Sequence, residues 1–273
     1  MASKYLASLN KDEYLDLTNK LLTIQSRKCY ICEDDINVDV HETNIDHIIP
    51  LNNKGFDSEE NFAVTHESCN KSKQDTDLKI AKILQKLKKV QVKAFKENNR
   101  TASLKDILDL NGGSKYEFKF QIENNQIKYS FSNIGENAVI TSPIYKDRLS
   151  SENFCFIDVP IEYLFHDDLI NPRGINSSIS KLIKEFDKGN PQLHLSLARV
   201  GDNKLKIFDG QHKAVAQILL GSKRFVVRVF TYPNIDRLVE TNKNAGSTLS
   251  QVAFDKAVKI GRASCRERVS VLV

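Results

Sequence analysis

The 273-residue chain has no tryptophan, a single methionine and only six prolines. No apolar run approaches the roughly 18 residues that a membrane span requires, and the opening stretch MASKYLASLNKDEYLD has no apolar core of the kind a secretory signal carries. These absences set membrane-spanning and secreted classes aside and leave a cytoplasmic protein as the expectation. Cysteine is also sparse, five in all. In a reducing compartment closely spaced cysteines point to a metal rather than to disulfides. What is present is ordinary for a soluble globular chain: 40% apolar and 27% charged residues, and enough length for two domains with cores of their own.

The end of the chain needs separating first. Ile260–Val269, IGRASCRERV, resembles the translation of a widely used sequencing-library adapter, so the genuine frame is expected to end near Lys259, with residues 260–273, Cys265 included, as an artefact. Setting that tail aside lowers the formal charge from +5 to +3. Between Lys71 and Lys105, eleven basic side chains face three acidic ones, a net +8, so the rest of residues 1–259 is about 5 negative. Basicity is therefore local, and it begins where a cysteine cluster ends.

Periodicity places the elements around that cluster. Lys11 to Ser26, with Tyr14, Leu15, Leu17, Leu21, Leu22 and Ile24, fits one amphipathic helix. Ile80, Ile83, Leu84, Leu87 and Val90 form the stripe of a second, capped by Asp75 or Thr76, with lysines on its other face. KENNRTAS reads as a linker and Asn111 to Gly113 as a break. YEFKFQI and IKYSF read as a hairpin around ENNQ, with Tyr116, Phe118, Phe120 and Ile122 on one face. From Ile140 onward, short strands (FCFIDV, LHLSLARV, KLKIFDG, FVVRVF) mix with helices near Ser178–Phe186 and His212–Leu220, and Cys155 falls in an apolar strand as inert core. His41 is expected at the surface, and His166 and His194 at the surface or in satisfied polar roles.

Cys29-x-x-Cys32 and His66-x-x-Cys69 supply four ligands in two close pairs, the layout of a closed tetrahedral zinc site. Between and just after the pairs lie Asp46-His47-Ile48-Ile49-Pro50, Asn61, Asn70 and Lys71. On these residues the segment Cys29–Lys73, about a sixth of the chain, resembles the HNH endonuclease family and its ββα-metal motif. The resemblance implies phosphodiester hydrolysis. His47 would be the general base, Asp46 and Asn70 the oxygen ligands of a catalytic Mg²⁺ or Mn²⁺, and Asn61 the residue steadying the loop that bears the base. Zinc would be structural. His66 stands where many zinc-bearing members have cysteine, and Asn70 where many have histidine. Lys71, Lys73 and the lysine face of the following helix would track DNA phosphates.

A second constellation is KIFDGQHKAVAQILLG, a strand, a turn and a helix start, with Asn171-Pro172-Arg173 about 36 residues earlier. The free N–H groups of that helix start, beside Lys213, offer an anion site. In this order the two elements resemble the ParB-like superfamily, in the branch whose signature is D-G-Q-H-R, over roughly Asn153 to Asp255. That resemblance implies nucleotide binding by Arg173, Asp209, Gly210, Gln211, His212 and Lys213, with Lys213 in the place of the branch's arginine. It also implies a setting in DNA phosphorothioate-linked and antiphage systems. ETNKNAGSTLS, with Asn242 and Asn244, is polar enough to close such a site.

The expected fold is α+β: a small zinc-stabilised ββα-metal domain in residues 1–100, a linker helix and β-hairpin in 101–150, and a ParB-like α+β domain in 151–259. The expected function is a metal-dependent DNA endonuclease or nickase, gated or targeted by a domain sensing a nucleoside triphosphate or modified DNA. The alternative is a non-catalytic, zinc-containing DNA-binding regulator. Partners are DNA and a nucleotide, with no membrane; the oligomeric state is left open.

Overall fold

The structure is a computed structural model that describes residues 3–73, 76–131 and 139–244. Residues 260–273, read as artefact, lie outside the described residues, as does Asp75. None of the described helices is long and apolar enough to cross a membrane. The chain divides into two compact units. The first comprises residues up to Ala102 with Asn176–Pro191 and Leu219–Gly221; the second comprises Ser103–Ile175, Gln192–Ile218 and residues from Ser222.

In the first unit, a one-turn helix α1 (Lys4–Ser8) leads to α2 (Lys11–Ile24). Asn10 starts α2 with a capping box: its side chain accepts from the N–H of Asp12 and Glu13, and Glu13 returns a bond to the Asn10 N–H. The buried face of α2 is Leu17, Thr18, Leu21 and Leu22. Leu15 and Ile24, counted in the expected stripe, are exposed because they lie off that face. Next come β1 (Thr43–His47) and β2 (Phe62–His66), paired antiparallel with Ile45 opposite Val64 and His47 opposite Phe62. Helix α3 (Glu67–Lys73) follows β2 directly and packs on both strands, so the order is ββα.

Helix α4 runs over Leu78–Asn98, longer at both ends than its apolar stripe suggested. Its cap is Asp77, whose carboxylate accepts from the Ile80 N–H at 2.8 Å, in place of the expected Asp75 or Thr76. Leu78 and Ala81 enter a core with Leu21, Leu22, Ile31, Ile36, Ile45, Phe62 and Val64. Helix α6 (Ile179–Asp187) groups with this unit, where Asp187 pairs with Lys79 at 2.8 Å.

The second unit opens with α5 (Leu104–Leu110), again started by a capping box, Ser103 with Asp106. Strands β3 (Phe120–Glu123), β4 (Gln126–Tyr129) and β5 (Ile140–Pro143) form an antiparallel sheet. The β3–β4 turn is Asn124-Asn125, both with positive φ, which the right-handed strand twist favours in two-residue hairpins. The expected strand was too long: Tyr116 and Phe118 precede β3, because the Tyr116 N–H is taken by the Glu162 carbonyl and the Phe118 N–H by that of Asn203.

The main sheet has six strands: β6 (Tyr145–Lys146), β7 (Asn153–Pro160), β8 (Leu164–His166), β9 (Ser196–Gly201), β10 (Lys204–Asp209) and β11 (Arg224–Phe230). Their spatial order is β6-β7-β11-β9-β10-β8, with β11–β9 and β10–β8 parallel and the other pairs antiparallel. Alternate residues Cys155, Ile157 and Val159 of β7 and Val227 and Val229 of β11 are buried. Helix α7 (Gln211–Leu219) follows β10, and residues 235–244 are helical.

Candidate active site and metal centre

Cys29 and Cys32 sit in a tight knuckle after α2. Its turn is closed by the Glu33 N–H on the Cys29 carbonyl at 2.9 Å and the Cys29 N–H on the Asp34 carbonyl at 2.9 Å. The knuckle is tied to β2 by the Tyr30 N–H on the Val64 carbonyl, 3.1 Å. His66 ends β2 and Cys69 lies one turn into α3, so the junction brings the second pair to the first. The four ligand atoms, three Sγ and a ring nitrogen, lie within 4.8 Å of one another. Cys32 Sγ is 3.4 Å from His66 Nδ1, and Cys69 Sγ is 4.0 Å from it.

The opposite ring nitrogen of His66, Nε2, is 3.3 Å from the Asp35 carbonyl. That carbonyl takes a proton on Nε2 and leaves Nδ1 for a metal, the outer-shell arrangement typical of ligating histidines. Burial pushes the Cys32 and Cys69 thiols up from their ordinary value, so a cation is what would make them thiolates. Donor set and spacing fit zinc. His41 packs edge-on against His66, ring centroids 4.9 Å apart. Two lysines of α4 brace the knuckle: Lys82 on Glu33 at 2.8 Å and Lys89 on Asp34 at 2.8 Å, each drawing its partner carboxyl below the usual range.

Asp46 and His47 close β1. The His47 N–H donates to Asp46 Oδ1 at 2.8 Å, turning that carboxylate back along the chain. The His47 ring is buried, edge-on to Phe62 at 4.9 Å between centroids. Its Nε2 lies 3.0 Å from Asp57 Oδ1, and its Nδ1 lies 3.9 Å from Asp46 Oδ1.

Asn61, buried before β2, staples the intervening loop. Its Oδ1 accepts from the Ile49 N–H at 2.9 Å, and its Nδ2 donates to the carbonyls of Ile49 and Phe56, each at 2.8 Å. Gly55 makes that closure possible, since a Cβ there would stand 1.9 Å from the Ile49 carbonyl oxygen.

Asn70 lies on α3, which packs on β1. Lys73, expected as a surface phosphate contact, instead has its ammonium 2.9 Å from Asp46 Oδ2 with only 10% of its side chain exposed. A cation thus stands against the very carboxylate expected to hold the catalytic metal. Lys71 is exposed and pairs with Glu67 at 2.9 Å. Asp57 had no place in the sequence reading; its only signal was a carboxylate between Gly55 and Asn61 in the loop after the base.

In the second unit, the two motifs expected to cooperate lie side by side. Asn171 is buried, donating from Nδ2 to the Phe208 carbonyl at 2.9 Å and accepting at Oδ1 from Arg173 Nε at 3.1 Å. Gln211, also buried, donates to the Arg173 carbonyl at 2.8 Å. Gly210 turns the chain at φ +72°, where a Cβ would meet Ser196 Cα at 2.9 Å. Asp209 ends β10, exposed. His212 is driven below its ordinary pKa by burial and then by the Arg173 charge. Lys213 Nζ rests on the His194 carbonyl at 3.2 Å, and Asn242 Nδ2 donates to the Ile170 carbonyl at 3.0 Å. His166 takes the polar one of its two expected roles: its ring is buried, with Nε2 3.3 Å from Asp168.

Residues 29–76 match the family model described as HNH endonuclease. The stretch carries the zinc-capable cluster and the β1–β2–α3 core, and the match points to a nuclease with DNA as its substrate. Searches of the curated proteins and of the solved structures return no match.

Proposed function

We propose that the first unit is a metal-dependent DNA endonuclease that nicks one strand at a time. The carrying observation is the placement of His47: a buried imidazole at the end of β1, next to Asp46, inside the HNH-matched segment framed by the four-ligand cluster. Cys29, Cys32, His66 and Cys69 would hold zinc, which would fix the junction of knuckle, β2 and α3. Asp46 and Asn70 would hold Mg²⁺ or Mn²⁺, which supplies charge neutralisation at the scissile phosphate. His47 takes the proton of a water as that water's oxygen attacks phosphorus, the P–O bond to the leaving oxygen breaks, and the leaving oxygen is protonated from solvent. Asn61 holds the loop so that the imidazole keeps its aim. Exposed Lys71 and the lysines of α4 suit phosphate contacts that position without reading sequence. One catalytic centre per chain favours nicking, since two strands of opposite polarity need two centres or a reorientation.

For the second unit the reading is a ParB-like domain of the D-G-Q-H-R type, binding a nucleoside triphosphate or modified DNA and gating the nuclease. The adjacency of Arg173, Gln211, His212 and Lys213 supports it. A role in phage defence follows from the resemblance alone.

The test is relaxed-circle formation from supercoiled plasmid with Mg²⁺ or Mn²⁺. His47→Ala should lower the rate by about 10² to 10⁴, the usual worth of a general base, while zinc content and DNA binding persist. Undiminished nicking by that variant removes His47 from the mechanism, and no nicking by the wild type leaves the non-catalytic regulator as the better reading.

A further inference from the structure

The carboxylate that faces the base is itself held from outside the matched segment. Asp57 Oδ1 faces His47 Nε2 at 3.0 Å and also receives the Ser3 hydroxyl at 2.6 Å. Its Oδ2 receives the N–H of Lys4 at 2.8 Å and of Tyr5 at 3.1 Å. Ser3 Oγ in turn caps α1 by accepting from the Leu6 N–H at 2.9 Å. The same segment is pinned a second time: the Tyr5 hydroxyl donates to Glu59 at 2.6 Å, and Lys20 of α2 pairs with the other oxygen of Glu59. Three donors from residues 3–5 thus converge on one carboxylate, and the fourth group it faces is the imidazole. This network keeps the Asp57 carboxyl well below the usual carboxylate range, the Ser3 hydroxyl contributing most.

We infer that Asp57 is a positioning residue for His47, and that the N-terminal segment around Ser3–Tyr5 is its clamp. An ionised carboxylate has only acceptors to offer, so the ring nitrogen facing it must carry the hydrogen. Nε2 is therefore the protonated nitrogen of the neutral ring, and Nδ1 keeps its lone pair. Nδ1 is 3.9 Å from Asp46 Oδ1, beyond hydrogen-bond range, so its lone pair is left on the side of Asp46 for an incoming proton. Holding the ring's tautomer and orientation in this way is the logic by which an aspartate serves a catalytic histidine elsewhere. The inference rests on the nuclease reading for its consequence, but the tautomer it specifies is a property of the resting protein.

The decisive variant is Asp57→Asn. Two backbone N–H groups converge where Oδ2 stood, so the new amide must put its oxygen there and its NH₂ where Oδ1 stood. That NH₂ can only donate, so it takes the Nε2 lone pair and forces the hydrogen onto Nδ1, while the Ser3 hydroxyl can rotate to accept. The fold keeps its contacts and the base loses its lone pair on the working side.

The experiment is ¹⁵N spectroscopy of the His47 ring in the zinc-loaded full chain, at a pH where the ring is neutral, with plasmid nicking measured alongside. Wild type should show Nε2–H and Asp57→Asn should show Nδ1–H. Nicking should fall by about 10² or more in kcat with KM for DNA little changed. Nδ1–H in the wild type overturns the inference without any variant having to fold. An unchanged tautomer in Asp57→Asn overturns it equally. If the wild type shows Nε2–H and Asp57→Asn inverts it, but neither nicks DNA, the positioning stands and the nuclease reading is what fails.

Discussion

The two units bury cysteine in different company, and the difference separates a ligand from a filler. Cys155 of β7 is fully buried in the main sheet, its thiol facing the Val229 carbonyl at 3.8 Å, and burial pushes its pKa up to about 12. Burial raises the thiols of Cys32 and Cys69 as well. Direction and leading cause are the same; the neighbours are not. Cys155 has apolar residues around it and is content as a small hydrophobe. Cys32 has two more thiols and an imidazole within ligand distance, a grouping that gains nothing as a neutral core and a great deal around zinc. The first unit carries a cluster that a metal could close; the second is closed by alternating side chains of six strands.

The largest effect expected of this contrast is on folding. Stripping zinc by chelation, or Cys69→Ser, should collapse the ordered structure of the first unit, because structural zinc contributes on the order of 10 kcal/mol or more of apparent folding free energy at neutral pH. The second unit should keep its own amide dispersion and sheet signature. Acid should act in the same direction as the chelator: the cysteines must give up protons to bind, so zinc affinity falls as pH drops. Elemental analysis finding no zinc, in protein that is nonetheless folded through residues 29–73, would erase the contrast.

The converse perturbation is smaller. Ile157 is buried at the centre of β7 opposite Val227, and Ile157→Ala should cost the second unit about 2–5 kcal/mol through lost transfer and the cavity left behind. Zinc stoichiometry should stay at one per chain. A melt in which both units shift together would mean that they are not independent in stability, and the comparison would need redrawing.

What was legible in the sequence follows the same division. The ligand pairs were readable because metal chelation is local: each pair spans one turn, and the spacing is the chemistry. The α2 and α4 stripes were readable through helical period, although Leu15 and Ile24 show that a stripe drawn from apolar residues alone includes side chains the fold leaves outside. Asp77 displaced Asp75 and Thr76 as the cap of α4 because the helix begins earlier, at Leu78, than its first large apolar pair suggests. The strand segments of the main sheet were visible as alternation, but their order was not. Placing β9 parallel to β11 and β8 parallel to β10 depends on contacts far apart in sequence, and no short pattern encodes it. Asp57 was missed for the same reason, since its partners are Ser3, Lys4 and Tyr5, brought to it only by folding. Tyr116 and Phe118 alternate perfectly and still lie outside a strand, because backbone carbonyls from other segments took their N–H groups first.

The smallest expected effect concerns the site of the second unit, where charge rather than burial decides. If the turn from Asp209 to Lys213 holds a phosphate, the α7 N-terminus supplies backbone N–H donors and Arg173 and Lys213 supply positive charge. Arg173→Ala and Lys213→Ala should each weaken nucleoside triphosphate binding by about tenfold, the loss of one charge-assisted hydrogen bond in a partly solvated site. Lys213→Arg should hold or improve affinity, because a guanidinium adds a second donor in a planar fork where the ammonium offers a point charge. Lys213 leaves the His194 carbonyl in doing so, a neutral contact at 3.2 Å that a phosphate readily outbids. Coupling to the nuclease must be reciprocal in binding: if nucleotide changes DNA affinity, DNA changes nucleotide affinity by the same factor. Titration calorimetry in both directions, with nicking followed in parallel, tests every link. Absence of nucleoside triphosphate binding at millimolar concentration, with Lys213→Ala nicking at the wild-type rate, would reduce the turn to architecture. The two units would then differ in function as completely as they differ in what holds them together.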